Sequence, residues 1–169
     1  MIRVFAGRRG DAVSLLEYAL LQMYGLVKAP PVARTGRGKP WFPSARHIRF
    51  NLSHSGDLVL CAVGDGEVGV DIETVRPRRD NLPRFVLTQG EYETFLRGGG
   101  TWESFYTLWT RKEAWGKFTG KGIPGHPSRL SVPAHAHIRS YAGEGWRCAV
   151  CAGEPPPELE WVDEYTKRA

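Results

Sequence analysis

The sequence predicts an α+β chain made of two similar halves, residues 1–68 and 69–169, each a mainly antiparallel sheet with a long helix. Three observations predict it. A strand, helical sequence and several turn-bounded strands occur once before about residue 68 and again after it. Apolar residues keep a helical period over residues 11–25 and 101–119, but alternate with polar ones over residues 68–73. Hydrophobic residues make up 41% of the 169, with six tryptophans among them, which supports a substantial core and excludes a largely disordered chain. No internal sequence repeat accompanies the two halves.

In order, residues 2–6 read as the first strand, and Arg8-Arg9-Gly10-Asp11 as a polar break whose aspartate caps the next helix. Leu15, Leu16, Ala19, Leu20 and Met23 share one face of that helix, and Gly25 stops it. Lys28-Ala29-Pro30-Pro31 is a turn, and residues 34–41 form a glycine-rich basic loop. That loop is not a nucleotide-hydrolysing phosphate loop, because Pro40 stands where the pattern needs a hydroxyl. Its small residues still let a phosphorylated nucleotide lie near Arg37 and Lys39, with a plain turn as the competing reading.

Residues 48–52 and 58–63 read as strands on either side of a Ser53-His54-Ser55-Gly56 turn, and Asp65-Gly66 as a hairpin turn into residues 68–73. Residues 76–83 are a basic, proline-broken connection. Thr88 and Glu91 stand at capping-box spacing for a helix over residues 88–96, which Gly98-Gly99-Gly100 breaks. The long helix over residues 101–119 is expected to bury Phe105, Leu108, Trp109 and Trp115, with Gly116 costing it about 1 kcal/mol. Strands near Leu130 and over residues 137–142, 146–152 and 159–162 complete the chain, and Pro155-Pro156-Pro157 keeps the last near an edge.

A net charge of +5 favours acidic partners: nucleic acid, an acidic protein or a phosphate-rich ligand. No stretch approaches eighteen continuous apolar residues, and the first residues read straight into a strand, so a cytoplasmic protein without membrane contact is expected. Three cysteines, an odd number, argue for a reducing compartment over a disulfide framework. Cys148 and Cys151 could join His135 and His137 in a zinc site on paper. Three apart on a strand, however, they face opposite ways, so core cysteines and surface histidines are the expectation.

Two segments carry the chemistry. In Gly69-Val70-Asp71-Ile72-Glu73, period-two alternation sends Val68, Val70 and Ile72 inward and both carboxylates outward together. In the long helix Trp109, Glu113 and Lys117 recur four apart and form one stripe. Three carboxylates and a lysine suit a hard cation carrying phosphate oxygens. Taken singly, each segment has a plainer reading, a solvated strand face and a surface ion pair. A basic nucleic-acid-binding module using Arg76, Arg78 and Arg79 is a second reading, against which the two outward acids argue.

Four pieces in order, Gly38-Lys39-Pro40, Phe50-Asn51-Leu52-Ser53-His54-Ser55-Gly56, Gly69-Val70-Asp71-Ile72-Glu73 and Trp109-Thr110-Arg111-Lys112-Glu113-Ala114 with Lys117, resemble the Sfp-type 4'-phosphopantetheinyl transferases. The resemblance covers roughly residues 34–122, and Gly120-Lys121-Gly122 continues it. It implies two pseudo-symmetric halves with the active site between them. It also implies transfer of 4'-phosphopantetheine from coenzyme A to a serine of an acyl or peptidyl carrier protein, as in polyketide, nonribosomal peptide or fatty acid synthesis, with release of 3',5'-ADP.

By resemblance, Asp71, Glu73 and Glu113 hold magnesium, for which manganese can substitute, and Lys117 meets the pyrophosphate. Lys39 and Pro40 lie beside adenosine and its 3'-phosphate, Ser53 and His54 bind coenzyme A phosphate, and Arg9 adds a basic contact to the 3'-phosphate. Glu113 is the implied base, with Glu91 or a metal-bound water as alternatives. The resemblance further implies that the carrier docks along residues 76–87, at Arg76, Arg78, Arg79, Phe85 and Leu87, and with both halves in one chain the site need not be built across subunits, so a monomer is expected. An inactive relative that only binds carriers is a third reading, disfavoured by the full ligand set. The first strand begins closer to the amino terminus than in many relatives, so part of the usual coenzyme A contact surface is expected to be missing.

Overall fold

The computed structural model describes residues 1–8, 10–123, 125–163 and 165. Along the chain run β1 (Ile2–Arg8), α1 (Ala12–Tyr24), β2 (Ala33–Arg34), β3 (Pro40–Trp41), β4 (Arg49–Ser55), β5 (Leu58–Gly64), β6 (Val68–Thr74), α2 (Leu82–Val86), α3 (Gln89–Arg97), α4 (Trp102–Thr119), β7 (His137–Gly143), β8 (Trp146–Ala152) and β9 (Leu159–Val162). This is the α+β class expected. A first sheet has the order β4-β5-β1-β9, a second the order β6-β8-β7, and β2 and β3 form a separate hairpin. The pairings are antiparallel except β1 with β9, where Arg3 donates to Glu160 at 2.8 Å across the strands.

Alternation along the strands sorts the core into layers. Phe5, Val59, Cys61 and Val63 face Leu15, Leu16, Ala19 and Leu20 of α1. Their neighbours Val4, Ala6, Leu58, Leu60 and Ala62 face Val68, Val70, Ile72, Cys148 and Val150 of the second sheet. Ala149 and Cys151 on its far face pack against Ala114 of α4. Removing these apolar faces from water is the main drive for stacking helix, sheet, sheet and helix in that order. Cys148 and Cys151 thus lie on opposite faces of β8, and burial pushes both thiols up to about 12. His135 and His137 are exposed.

The helix ends follow the sequence signals. Asp11 accepts a hydrogen bond from Ser14 N at 2.8 Å, and Gly25, at φ 68°, closes α1 in the left-handed region. Thr88 and Glu91 form the reciprocal capping box of α3. Among the described residues no helix is long and apolar enough to cross a membrane.

Several expectations are corrected. Asp65-Gly66 is not a hairpin turn, because both edges of β5 are taken by β1 and β4 and the chain crosses to the second sheet instead. Strand β4 continues through Ser53, His54 and Ser55, paired to β5 as far as Ser55 with Leu58. Residues 35–39 are the turn of the β2–β3 hairpin, which agrees with the plain-turn reading of that glycine-rich stretch. The connection after β6 contains the short helix α2, with Pro83 in its first turn, where the missing N–H costs nothing. Near Leu130 there is a 3-10 turn at Pro127–Arg129 and no strand, since prolines 127 and 133 remove ladder donors. Leu87, expected at a docking surface, is buried with Val86, Phe95, Phe105 and Tyr106 and belongs to the core. Leu108, Trp109 and Trp115 are only partly buried, whereas Tyr106, Thr110, Lys112, Ala114 and Gly116 are the residues α4 buries beside Phe105.

Candidate active site

Strands β4 and β6 are edge strands of different sheets, yet they run side by side. Alternate side chains of β4 do the work of a ladder: Asn51 Oδ1 accepts from Val70 N at 2.9 Å, Ser53 Oγ from Ile72 N at 3.3 Å and Ser55 Oγ from Thr74 N at 3.0 Å. Each serine also donates to a carboxylate, Ser53 to Asp71 Oδ1 at 3.0 Å and Ser55 to Glu73 Oε2 at 3.1 Å. The join between the sheets therefore orients both acids. Asn51 and Ser55 were not singled out as site residues from the sequence, although polar residues at period two facing a partner strand were the available signal.

The face of β6 that carries the acids is not open to water, as the alternation alone suggested. Helix α4 lies directly on it, and a Cβ on Gly69 would collide with Ala114 O and Phe118 N. Asp71 is consequently only 5% exposed. The same close approach brings Lys117 Nζ to 2.8 Å from Asp71 Oδ1 and 3.2 Å from Ser53 Oγ. Gly116, read from sequence as a cost, has a packing reason, since a Cβ there would stand 2.8 Å from Gly122 O.

Burial raises the Asp71 carboxyl above its ordinary range, Lys117 opposes that shift, and Glu73 adds to it. Glu113 is raised by burial first and by the charge of Asp71 second, with Glu73 adding and Lys117 opposing. Asp71, Glu73, Glu113 and Lys117 thus share one electrostatic neighbourhood, assembled from two elements.

Among the described residues, no three carboxylate, histidine or cysteine side chains converge on a single point at metal-holding distance. The donor chemistry fits a hard cation all the same. The acids offer only oxygen, and Asp71 Oδ2 is buried without a hydrogen-bond partner among the described residues.

Two cavities each take in one member of this cluster. A cleft of about 460 Å³ is lined by Lys117 together with Arg34, Arg37, Lys39, Pro40 and apolar side chains such as Val32 and Phe50. A groove of about 550 Å³ is lined by Glu73 together with Arg78, Arg79, Phe85, Tyr106 and Trp109. Lys39 donates to Glu67 Oε2 at 2.6 Å and to Phe118 O at 2.8 Å, so it reaches the cleft already bound. His54 is exposed and points to the opposite side of β4 from Ser53, on the face that carries Phe50 and Leu52. Arg9 lies outside the described residues.

Glu91 does not join the cluster. Its Oε2 accepts from Thr88 N at 2.8 Å and from Lys112 Nζ at 2.6 Å. Lys112, a residue the sequence did not mark, is fully buried and also donates to Leu130 O at 2.5 Å. Lys112 therefore ties α3, α4 and the segment after α4 together. Arg78 Nε donates to Tyr106 Oη at 3.1 Å, and Phe85, 54% exposed, packs on His126 with ring centroids 4.1 Å apart.

Comparison with known proteins identifies the family. Residues 67–159 match the family model of the 4'-phosphopantetheinyl transferase superfamily. The chain is 36% identical to the 4'-phosphopantetheinyl transferase psf-1 of Bacillus pumilus over 132 residues, covering 74% of this chain and 57% of that protein. It is 31% identical to the 4'-phosphopantetheinyl transferase Sfp of Bacillus subtilis (strain 168), covering 74% of this chain and 65% of that one. To the 4'-phosphopantetheinyl transferase AcpT of Escherichia coli (strain K12) it is 32% identical, covering 85% of this chain and 78% of the other. The match thus spans less than two thirds of the length of the two Bacillus relatives. With more than half its length matched by the family model, the chain belongs to the 4'-phosphopantetheinyl transferase superfamily.

Proposed function

We propose that this chain transfers 4'-phosphopantetheine from coenzyme A to a serine of an acyl or peptidyl carrier protein and releases 3',5'-ADP. The observation that carries the reading is the cluster of Asp71, Glu73 and Lys117, in which Lys117 bonds to Asp71 and lines the basic cleft while Glu73 lines the second groove. In this reading the cleft takes the nucleotide end of coenzyme A and the groove admits the carrier serine. The active site then lies between two pseudo-symmetric halves, residues 1–68 and 69–169. The packing of α1 on the outer face of one sheet and α4 on the outer face of the other supports that division, while β9 returns to the first sheet.

Asp71, Glu73 and Glu113 would hold magnesium, which when bound supplies positive charge to the pyrophosphate oxygens. Lys117 contributes a cation fixed by Ser53 and Asp71, and Arg37, Lys39 and His54 add charge or donors toward the phosphates. Pro40 shapes the wall beside them. The carrier serine oxygen bonds to the β-phosphorus as the bond from that phosphorus to 3',5'-ADP breaks, and the hydroxyl proton passes to the Glu113 carboxylate. Burial and the Asp71 charge raise Glu113, which makes it a stronger base than an ordinary carboxylate. Positioning and electrostatics carry most of the acceleration in such a transfer.

The carrier partner is proposed to dock along the groove by Arg76, Arg78, Arg79 and Phe85, with the protein working as a monomer. Free, buried Cys61, Cys148 and Cys151 support work in a reducing cytoplasm. Polyketide, nonribosomal peptide or fatty acid carriers are the substrates in view.

The test is to mix the chain with coenzyme A, magnesium and an apo carrier and follow 3',5'-ADP by chromatography. Release that requires the carrier is expected. No release from folded protein across carriers of all three pathway types would contradict the proposal.

A further inference from the structure

Lys39 and Lys117 both line the cleft, but Lys39 is held by a residue outside the acid cluster. Its ammonium donates to Glu67 Oε2 at 2.6 Å and to Phe118 O at 2.8 Å, and its side chain is only 13% exposed. Phe118 sits in the last turn of α4, where carbonyls lack helical partners and carry the negative end of the helix dipole. Lys39 is thus a strut from the β2–β3 hairpin to the helix that carries Glu113 and Lys117. An ammonium has three donors, and these two bonds leave one for a ligand. The other oxygen of Glu67 lies 3.1 Å from Arg49 Nε, so a single carboxylate serves two cations. Glu67 itself is half exposed and lies in the short segment that crosses from the first sheet to the second.

We propose that Glu67 sets the affinity of the cleft for its polyphosphate ligand, by holding Lys39 in place in the free protein and competing for it with an incoming phosphate. The inference rests on reading the cleft as the coenzyme A site and deepens it by naming the residue that limits binding. The Glu67 end of the pair is half exposed, and a lysine–glutamate pair open to water on one side is weak enough for a multiply charged phosphate to displace. Glu67 keeps Arg49 when it yields Lys39, so the displaced carboxylate is not left unpaired. Lys39 keeps Phe118 O, so the ammonium stays aimed at the cleft. The alternative is that Glu67 is only a clamp on the crossing segment, in which case removing its charge loosens the cleft and weakens binding.

Calorimetric titration of the full chain with coenzyme A separates these. Glu67→Gln is expected to bind coenzyme A about two- to fivefold tighter at low salt, with the gain shrinking as salt rises. Adding Lys39→Gln should abolish the gain, while Glu103→Gln, a charge removed at the far end of α4, should leave affinity unchanged. Unchanged or weaker binding by folded Glu67→Gln overturns the inference, as does an equal gain in Glu103→Gln. Absence of binding by the wild-type chain overturns the reading of the cleft and this inference together, whereas binding without the gain overturns the inference alone.

Discussion

Ser53 Oγ lies 3.0 Å from Asp71 Oδ1, although the two residues belong to strands of different sheets. The same hydroxyl accepts from Ile72 N and Lys117 Nζ, so its donor and both lone pairs are in use. One small side chain joins the sheets, aims a buried acid and holds the lysine beside it. Ser53→Ala should therefore lower turnover by at least about tenfold and cost about 1–3 kcal/mol of stability, because Ile72 N is left buried and unpaired. Urea unfolding with transfer kinetics checks both. Wild-type values for both would mean that the join does not depend on Ser53.

Lys112 gives a prediction about the scaffold. Removing one member of a buried ion pair strands the other, so Lys112→Met should cost about 3 kcal/mol, and much of that should return when Glu91→Gln is added. Denaturant melts of the two variants decide it. A loss below about 1 kcal/mol in Lys112→Met would show that the pair does not hold α3 and α4 together.

The cap of α1 predicts a pH dependence. Hydrogen bonds from Ser14 N and Oγ hold the Asp11 carboxyl below its ordinary 3.8. Its contribution is then present above the unfolded-chain value and is lost as pH falls through the lower folded value. Asp11→Ala should cost about 1 kcal/mol at pH 7, and the gap to wild type should narrow below about pH 4. A gap of constant size down to the acid limit of folding would contradict the assignment.

At the groove, Arg78 is engaged by Tyr106, so Arg79 is the cleaner probe of carrier docking. Arg79→Glu should raise KM for the carrier severalfold at low salt and less at high salt, with KM for coenzyme A unchanged, as expected for steering of an acidic partner. Steady-state kinetics across a salt series that show no change for the carrier would put the docking surface elsewhere.

Much of this was legible in the residues. Asp11 and Gly25 bound α1, Thr88 and Glu91 start α3, and alternation put Asp71 with Glu73 and separated Cys148 from Cys151. Alternation says which side chains share a face but not what covers that face, so the burial of Asp71 beneath α4 was missed; Gly69, small where the helix must approach, was the clue. The crossing at residues 65–67 was misread because a turn dipeptide looks the same whether the next strand pairs with the last or enters another sheet. The resemblance pairs Ser53 with His54 on an expected turn; the strand instead runs on to Ser55, where the period of two puts the two side chains on opposite faces. Nothing local marks Lys112 as buried, since its partners Glu91 and Leu130 come from other parts of the chain.

The central claim is that the acid cluster between cleft and groove transfers phosphopantetheine. Intact-protein mass spectrometry of an apo carrier, incubated with coenzyme A, magnesium and either wild-type chain or folded Glu113→Gln, tests it most directly. The account predicts that the carrier gains the mass of one phosphopantetheine with wild type and gains none in the same time with Glu113→Gln. No gain with wild type, or an equal gain with both, would contradict it.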